Sequence, residues 1–144
     1  EVAFIKSRLP WVRVTASAGW AEDLLRTGGQ YDIANGFYAG LGLDFYDLHA
    51  YSDSGTYPGA TALCARAAAD GIPVYLGEFG QKSHTTDDTL QYNATASFLN
   101  NGASLCFKGA FGWRFDPTEP WLAFTRPDFS PRPAVTIMQT FGAL

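Results

Sequence analysis

The apolar positions of the chain fall into short runs, each followed by a stripe at helical spacing. The clearest example lies mid-chain. Thr56 to Gly71 reads as a helix with Pro58 in its first turn and Leu63, Ala67 and Ala68 on one face. Gly71 suits the left-handed residue that ends a helix. Ile72-Pro73-Val74-Tyr75-Leu76 then opens a strand running to Glu78, its proline in the first turn of the strand. Thr85 or Thr86 caps the next helix, and Asp87 and Asp88 place acid where the helix dipole favours it. Leu90, Ala94 and Phe98 form its stripe, and Asn100-Asn101-Gly102 stops it. Ser104 to Phe115 is a further apolar strand, Asp116 to Pro133 a proline-rich stretch, and Ala134 to Phe141 a closing helix.

The front half repeats the pattern more loosely. Glu1 to Leu9 reads as a helical tail, Trp11 to Ser17 as a strand and Ala21 to Arg26 as a short helix. Gly28 to Gly42 is a glycine-rich connection, and Leu43 to Tyr51 is another strand. Strands alternating with helices predict an α/β fold with a parallel sheet. The strands begin near 11, 43, 72 and 104, so the repeat is 32, 29 and 32 residues. An eight-unit barrel uses about 31 residues per unit. Residues 1–144 therefore read as one domain, half of a (β/α)8 TIM barrel with four βα units.

Composition narrows the function classes. Hydrophobic residues are 47% and charged residues 17%, which excludes a disordered chain. No run approaches the roughly 18 apolar residues of a membrane-spanning helix, so no membrane partner is expected. The formal charge is −4 with no basic cluster, which argues against nucleic acid. Cys64 and Cys106 form no CxxC pair and no Cys/His cluster, so no metal is expected. Two buried free thiols are the expectation for them, with a single disulfide as the alternative. The chain contains no phosphate-binding glycine loop and no nucleophile elbow, and no cofactor is implied. It opens on Glu1 with no signal peptide, which reads as a processed or internal start and leaves localisation open.

In parallel barrels the chemistry sits at the carboxyl ends of the strands. Strand side chains alternate, so parity gives each facing. In the third strand Ile72, Val74, Leu76 and Glu78 share a face, read as inward and turning polar at the rim. In the second strand Phe45, Asp47, His49 and Tyr51 share a face; in the fourth, Leu105, Phe107, Gly109, Phe111 and Trp113 do. One rim thus receives His49, Tyr51, Glu78 and Trp113. A carboxylate nucleophile, polar neighbours that orient it and an indole to stack on a pyranose are what a sugar-cleaving site requires.

Leu76-Gly77-Glu78-Phe79-Gly80 resembles the strand-7 nucleophile motif of the clan A glycoside hydrolases, above all family 5, the cellulase and mannanase family. Asp44-Phe45-Tyr46-Asp47-Leu48-His49-Ala50-Tyr51 is similar to its strand 6, which ends in His-x-Tyr. Trp113 matches its strand-8 tryptophan, and Ser130-Pro131-Arg132-Pro133-Ala134 resembles the run into its last helix. The His-x-Tyr stands 29 residues before Glu78 and the tryptophan 35 after it. The resemblance implies a retaining glycosidase of β-linked polysaccharide or oligosaccharide, secreted or extracytoplasmic. It implies Glu78 as nucleophile, Tyr51 as hydrogen-bond donor to it, His49 as a sugar contact and Trp113 as the floor of the reacting subsite. Trp121, in the loop after the fourth strand, could line an outer subsite.

The pattern is incomplete. The acid/base glutamate of that family follows an asparagine at the end of strand 4, and no Asn-Glu dipeptide occurs in this chain. Glu1, Glu22 and Glu119 fall in helix or loop positions and are not expected to replace it. The chain therefore reads as the carboxyl-terminal half of such an enzyme, inactive alone. A half barrel leaves open edges and an uncovered inner face. The expected partner is an amino-terminal half barrel, or a second copy closing an eight-stranded ring about a twofold axis. The rival expectation is a non-catalytic carbohydrate-binding or scaffold half barrel.

Overall fold

A computed structural model describes residues 1–20, 41–81, 83, 86–120 and 122–142. Its elements are α1 (Val2–Arg8), β1 (Ser17–Trp20), β2 (Tyr46–Tyr51), α2 (Ala60–Asp70), β3 (Val74–Gly80), α3 (Asp88–Ala103), β4 (Phe107–Gly112) and α4 (Ala134–Gly142). The four strands form one sheet in the order β1-β2-β3-β4, and every neighbouring pair is parallel. The predicted helix at 21–26 and the glycine-rich connection lie outside the described residues up to position 40.

Side-chain chemistry sets several boundaries that periodicity placed elsewhere. The first strand was expected at 11–17 and is found at Ser17–Trp20. Before it, Asp44 takes the Val14 N–H on its own side chain at 2.8 Å, and Thr15 Oγ1 donates to the Phe45 carbonyl. Side-chain hydrogen bonds thus stand in for part of a ladder over 13–15. Helix α2 begins at Ala60 rather than Thr56, because Tyr57 turns into the interior: its hydroxyl donates to the Phe98 carbonyl at 2.6 Å. Asp87, not Thr85 or Thr86, caps α3, its carboxylate accepting the Thr89 and Leu90 N–H groups at 2.8 and 3.1 Å. Gly71 ends α2 in the left-handed conformation, φ 69°.

The core lies between the sheet and its helices. Tyr46, Leu48 and Ala50 of β2 and Val74, Leu76 and Phe79 of β3 are buried against Leu63, Ala67, Phe98 and Ala134. Phe79 packs on Phe98 and Phe124 with ring centres 5.4 and 6.2 Å away. This corrects the expected facing of β3. Val74 and Leu76 look toward the helices, not inward with Glu78, because the register shifts: Leu48 pairs with Leu76, but His49 pairs with Glu78. One extra residue, Gly77, is accommodated there as a bulge, and it reverses the parity of everything after it.

A second shift, between β3 and β4, separates Phe107 from Gly109. Phe107 lies edge-on to Tyr57, 5.0 Å between centres, while Gly109 backs onto the Tyr75 ring. Phe107 therefore leaves the inward set, and Leu105 lies in the turn before β4. The sheet face away from the helices carries Phe45, Tyr75 and Phe111 around a cleft, and Phe111 is 63% exposed.

The two cysteines are bonded to each other, correcting the expectation of free thiols, with Cα atoms 5.6 Å apart. Cys64 on α2 and Cys106 before β4 are brought together by tertiary packing that sequence spacing alone does not report. The bridge closes a separation of 42 residues, for which chain entropy gives about 4 kcal/mol of stabilisation. Reduction, or paired Cys64→Ala and Cys106→Ala substitution, should lower the urea midpoint accordingly. Coincident unfolding curves with and without reductant would contradict this.

Candidate active site

The site is built on the sheet face that the helices leave open. Along β2, the residues between Tyr46, Leu48 and Ala50 are Asp47, His49 and Tyr51, only partly buried and facing the other way. The bulge at Gly77 brings Glu78 to the same face. The Tyr51 hydroxyl donates to Glu78 Oε2 at 2.6 Å. His49 Nδ1 is 3.2 Å from the same oxygen, and His49 Nε2 is 3.6 Å from Asp47 Oδ2. Ser17 of β1 closes the row, its hydroxyl donating to Asp47 Oδ2 at 2.5 Å.

Burial first, and then the hydrogen bond to and charge of Glu78, push the Tyr51 hydroxyl far above its ordinary value. Tyr51 therefore stays protonated and serves as a fixed donor. A carboxylate oxygen that accepts from a phenol and faces an imidazole is oriented by both, and both contacts fall on Oε2 rather than Oε1. That arrangement suits a nucleophile.

Each residue of Leu76-Gly77-Glu78-Phe79-Gly80 has a distinct local task. Leu76 and Phe79 are fully buried on the helix side. Gly77 has no Cβ where one would collide with the Asp47 carboxylate. Gly80 sits between the Tyr51 ring and the Trp113 carbonyl, 3.3 and 3.1 Å from where a Cβ would project. A side chain at either glycine would displace a polar residue of the site.

Trp113 follows β4, and its backbone N–H donates to the Phe79 carbonyl at 2.8 Å, next to Glu78. It is 37% exposed, with the Arg114 guanidinium 5.8 Å from its ring centre. Arg114 pairs with Asp116 and stands 3.7 Å from Glu119, whose negative charge reaches the Tyr51 hydroxyl. Trp121, His84 and Glu22 lie outside the described residues. The structure thus assembles His49, Tyr51 and Glu78 directly and sets Trp113 at the same end of the sheet. It adds Asp47 and Ser17, to which sequence reasoning assigned no role. Asp47 did carry a signal, since it stands two residues before His49 on one strand face. Among the described residues no group of His, Cys, Asp and Glu is arranged to hold a metal ion, and no helix is long and apolar enough to cross a membrane.

No protein-family model and no curated protein matches the chain. Among solved structures it is similar to a GH128 (subgroup I) endo-β-1,3-glucanase from Amycolatopsis mediterranei, with 17% identity and a TM-score of 0.59. The match covers 99% of this chain and 65% of the glucanase, so the chain spans somewhat less than two thirds of that enzyme's length. At this identity the likeness is one of fold: the α/β architecture is shared with a glycoside hydrolase.

The loop after β4 is fastened to the start of α3 through Arg132, itself only 5% exposed. Arg132 donates to the Thr86 carbonyl at 3.0 Å, to Asp88 Oδ1 at 2.7 Å and to the Pro120 carbonyl at 3.1 Å. Arg126 holds the other Asp88 oxygen at 2.6 Å. Burial would raise the Asp88 pKa, but the hydrogen bonds from Arg126 and Arg132 outweigh it and lower the pKa below 3.8. A lowered folded-state pKa stabilises the fold above the unfolded value and loses that contribution as pH falls through the folded one. Wild type should therefore lose stability more steeply below pH 3.8 than Asp88→Asn does. Equal acid slopes in thermal melts of the two proteins would contradict this.

Proposed function

We propose that this chain is the carboxyl-terminal half of a retaining glycosidase of β-linked polysaccharide, with β1 to β4 as strands 5 to 8 of a (β/α)8 barrel. The observation that carries the reading is the 2.6 Å hydrogen bond from Tyr51 to Glu78, with His49 on the same carboxylate oxygen. Glu78 is the nucleophile: its carboxylate oxygen bonds to the anomeric carbon as the glycosidic C–O bond breaks and the departing oxygen takes a proton from the general acid, and water then opens the glycosyl ester with net retention. Tyr51 holds the attacking carboxylate in line, His49 meets the sugar hydroxyls, and Trp113 floors the ring being cleaved. The clan A and family 5 resemblance supports these roles residue by residue. The fold shared with an endo-β-1,3-glucanase makes a β-1,3-glucan the first substrate to test.

Retention also requires a general acid about 5–5.5 Å from the nucleophile. With no Asn-Glu dipeptide in the chain, that acid belongs to an amino-terminal half barrel, or the site is incomplete. The exposed Phe111 on the inner face is the surface such a half, or a second copy of this chain, would cover. The missing acid equally favours a second reading, a carbohydrate-binding half barrel without turnover.

A 2-deoxy-2-fluoro β-glucoside with a dinitrophenolate leaving group separates the two, because so good a leaving group departs without acid assistance. Addition of one fluoroglucosyl mass to the Glu78 peptide is expected, absent in Glu78→Gln and about tenfold slower in Tyr51→Phe, as for losing a hydrogen bond to a charged acceptor. Saturable sugar binding with no label would favour the binding module. Turnover of an unactivated β-1,3-glucan by this chain alone would overturn the view that its acid lies elsewhere.

A further inference from the structure

We propose that Arg114 is a positioning residue of this site: its guanidinium, fastened to Asp116, backs one face of the Trp113 indole and leaves the other face to a sugar ring. The inference rests on the reading of Trp113 as the floor of the site and adds to it a residue that meets neither sugar nor reacting atom.

The main chain of Trp113 is anchored, which does not by itself fix the ring. Its N–H donates to the Phe79 carbonyl at 2.8 Å and so holds the backbone beside β3. A side chain that is 37% exposed still has its own torsions to settle. A platform for a flat ligand face binds best when those torsions are set before the ligand arrives, because ordering them on binding costs affinity. The guanidinium carbon of Arg114 stands over the indole, 5.8 Å from the ring centre, within the range of a cation–π contact. Such a contact restrains the ring and takes up one of its faces.

Arg114 can serve as a wall because it is held at both ends. Its N–H donates to the Leu122 carbonyl at 3.2 Å, and its carbonyl accepts the N–H of buried Phe124 at 2.7 Å. At the other end Nη2 donates to Asp116 Oδ1 at 2.6 Å and to the Thr118 hydroxyl. Nε stands 2.5 Å from Asp116 Oδ2, and Nη1 is 3.7 Å from Glu119. Asp116 is fixed in turn, since Oδ1 accepts the Thr118 N–H at 3.0 Å and closes a tight turn. A guanidinium makes its polar contacts in its own plane, so one engaged at every nitrogen still has flat faces to offer an aromatic ring. An ammonium cannot do both: lysine would keep the charge and lose the fork. The Arg114 side chain is only 22% exposed, so these contacts are partly shielded from solvent.

The chain has 4 tryptophans, and fluorotryptophan labelling gives each a fluorine resonance that its own substitution by phenylalanine assigns. Arg114→Lys should shift and broaden the Trp113 resonance, because the ring then samples several poses, while that of Trp11, beyond α1, stays in place. An unmoved Trp113 resonance overturns the proposal. An equal shift of Trp11 also overturns it, since that would mark a general loosening of the fold. Should Arg114→Lys fail to fold, as judged from its backbone amide spectrum, Asp116→Ala takes its place and must move the same resonance. With the fluoroglucoside, Arg114→Lys should raise the half-saturating concentration about fivefold and leave the labelling rate at saturation unchanged, as for losing a partly exposed cation–π brace. Equal half-saturating concentrations in the two proteins overturn the role assigned to Arg114. If the wild type takes no label, the glycosidase reading fails while the fluorine spectrum still decides the Arg114–Trp113 contact. If the wild type is labelled and the Trp113 resonance ignores Arg114, this proposal fails alone.

Discussion

An extra residue in β3 decides which way the carboxylate of this chain points. Up to Leu76 the strand runs in step with β2, and its apolar residues enter the core beside Leu48. With strict alternation Glu78 would follow Leu76 under the helices, where an unpaired carboxylate costs several kcal/mol. The bulge at Gly77 turns it out instead, opposite His49 and within reach of Tyr51. The same step returns Phe79 to the core against Phe98 and Phe124. Packing and chemistry are thus divided between the two faces at a single residue, and only glycine fits there, because the Asp47 carboxylate occupies the space of a side chain.

The placement gives the sheet two unlike faces. One is sealed by α2, α3 and α4 over Tyr46, Leu48, Val74, Leu76 and Phe79. The other holds a polar row, Ser17, Asp47, His49, Glu78 and Tyr51, beside the exposed ring of Phe111. Such a row persists because nearly every member has a partner on the same face, so desolvation is offset group by group. Donors and acceptors fixed by strands also need little reorganisation when charge appears beside them.

Much of this was legible in the sequence, for identifiable reasons. The βα order, the Gly71 stop and the polar face of β2 follow from periodicities that tertiary structure does not override here. The residues gathered into the candidate site were legible as candidates too, since His49, Tyr51, Glu78 and Trp113 stand out by side-chain type at the ends of their strands. The facing of β3 was not, because a bulge adds one residue without changing composition, and parity counting cannot see it. The Cys64–Cys106 bond was hidden for a different reason: it depends on where α2 lands relative to the start of β4. The start of α2 moved because Tyr57 is drawn to Phe98 and Phe107, contacts made by residues far along the chain.

Glu78 and Trp113 come from different strands, so their relative position depends on how firmly β4 is tied to β3. Two fastenings act there. The disulfide secures the entry to β4 against α2, and Arg132 with Asp88 secures the loop beyond its end against α3. Both are remote from Glu78, yet they bracket the segment that carries Trp113. On the β1 side the ties are the Ser17 hydroxyl donating to Asp47 and the Val14 N–H donating to Asp44. A candidate site whose carboxylate is held by groups of the neighbouring strand, on the sheet face opposite α2, α3 and α4, takes its rigidity from the strands that carry it.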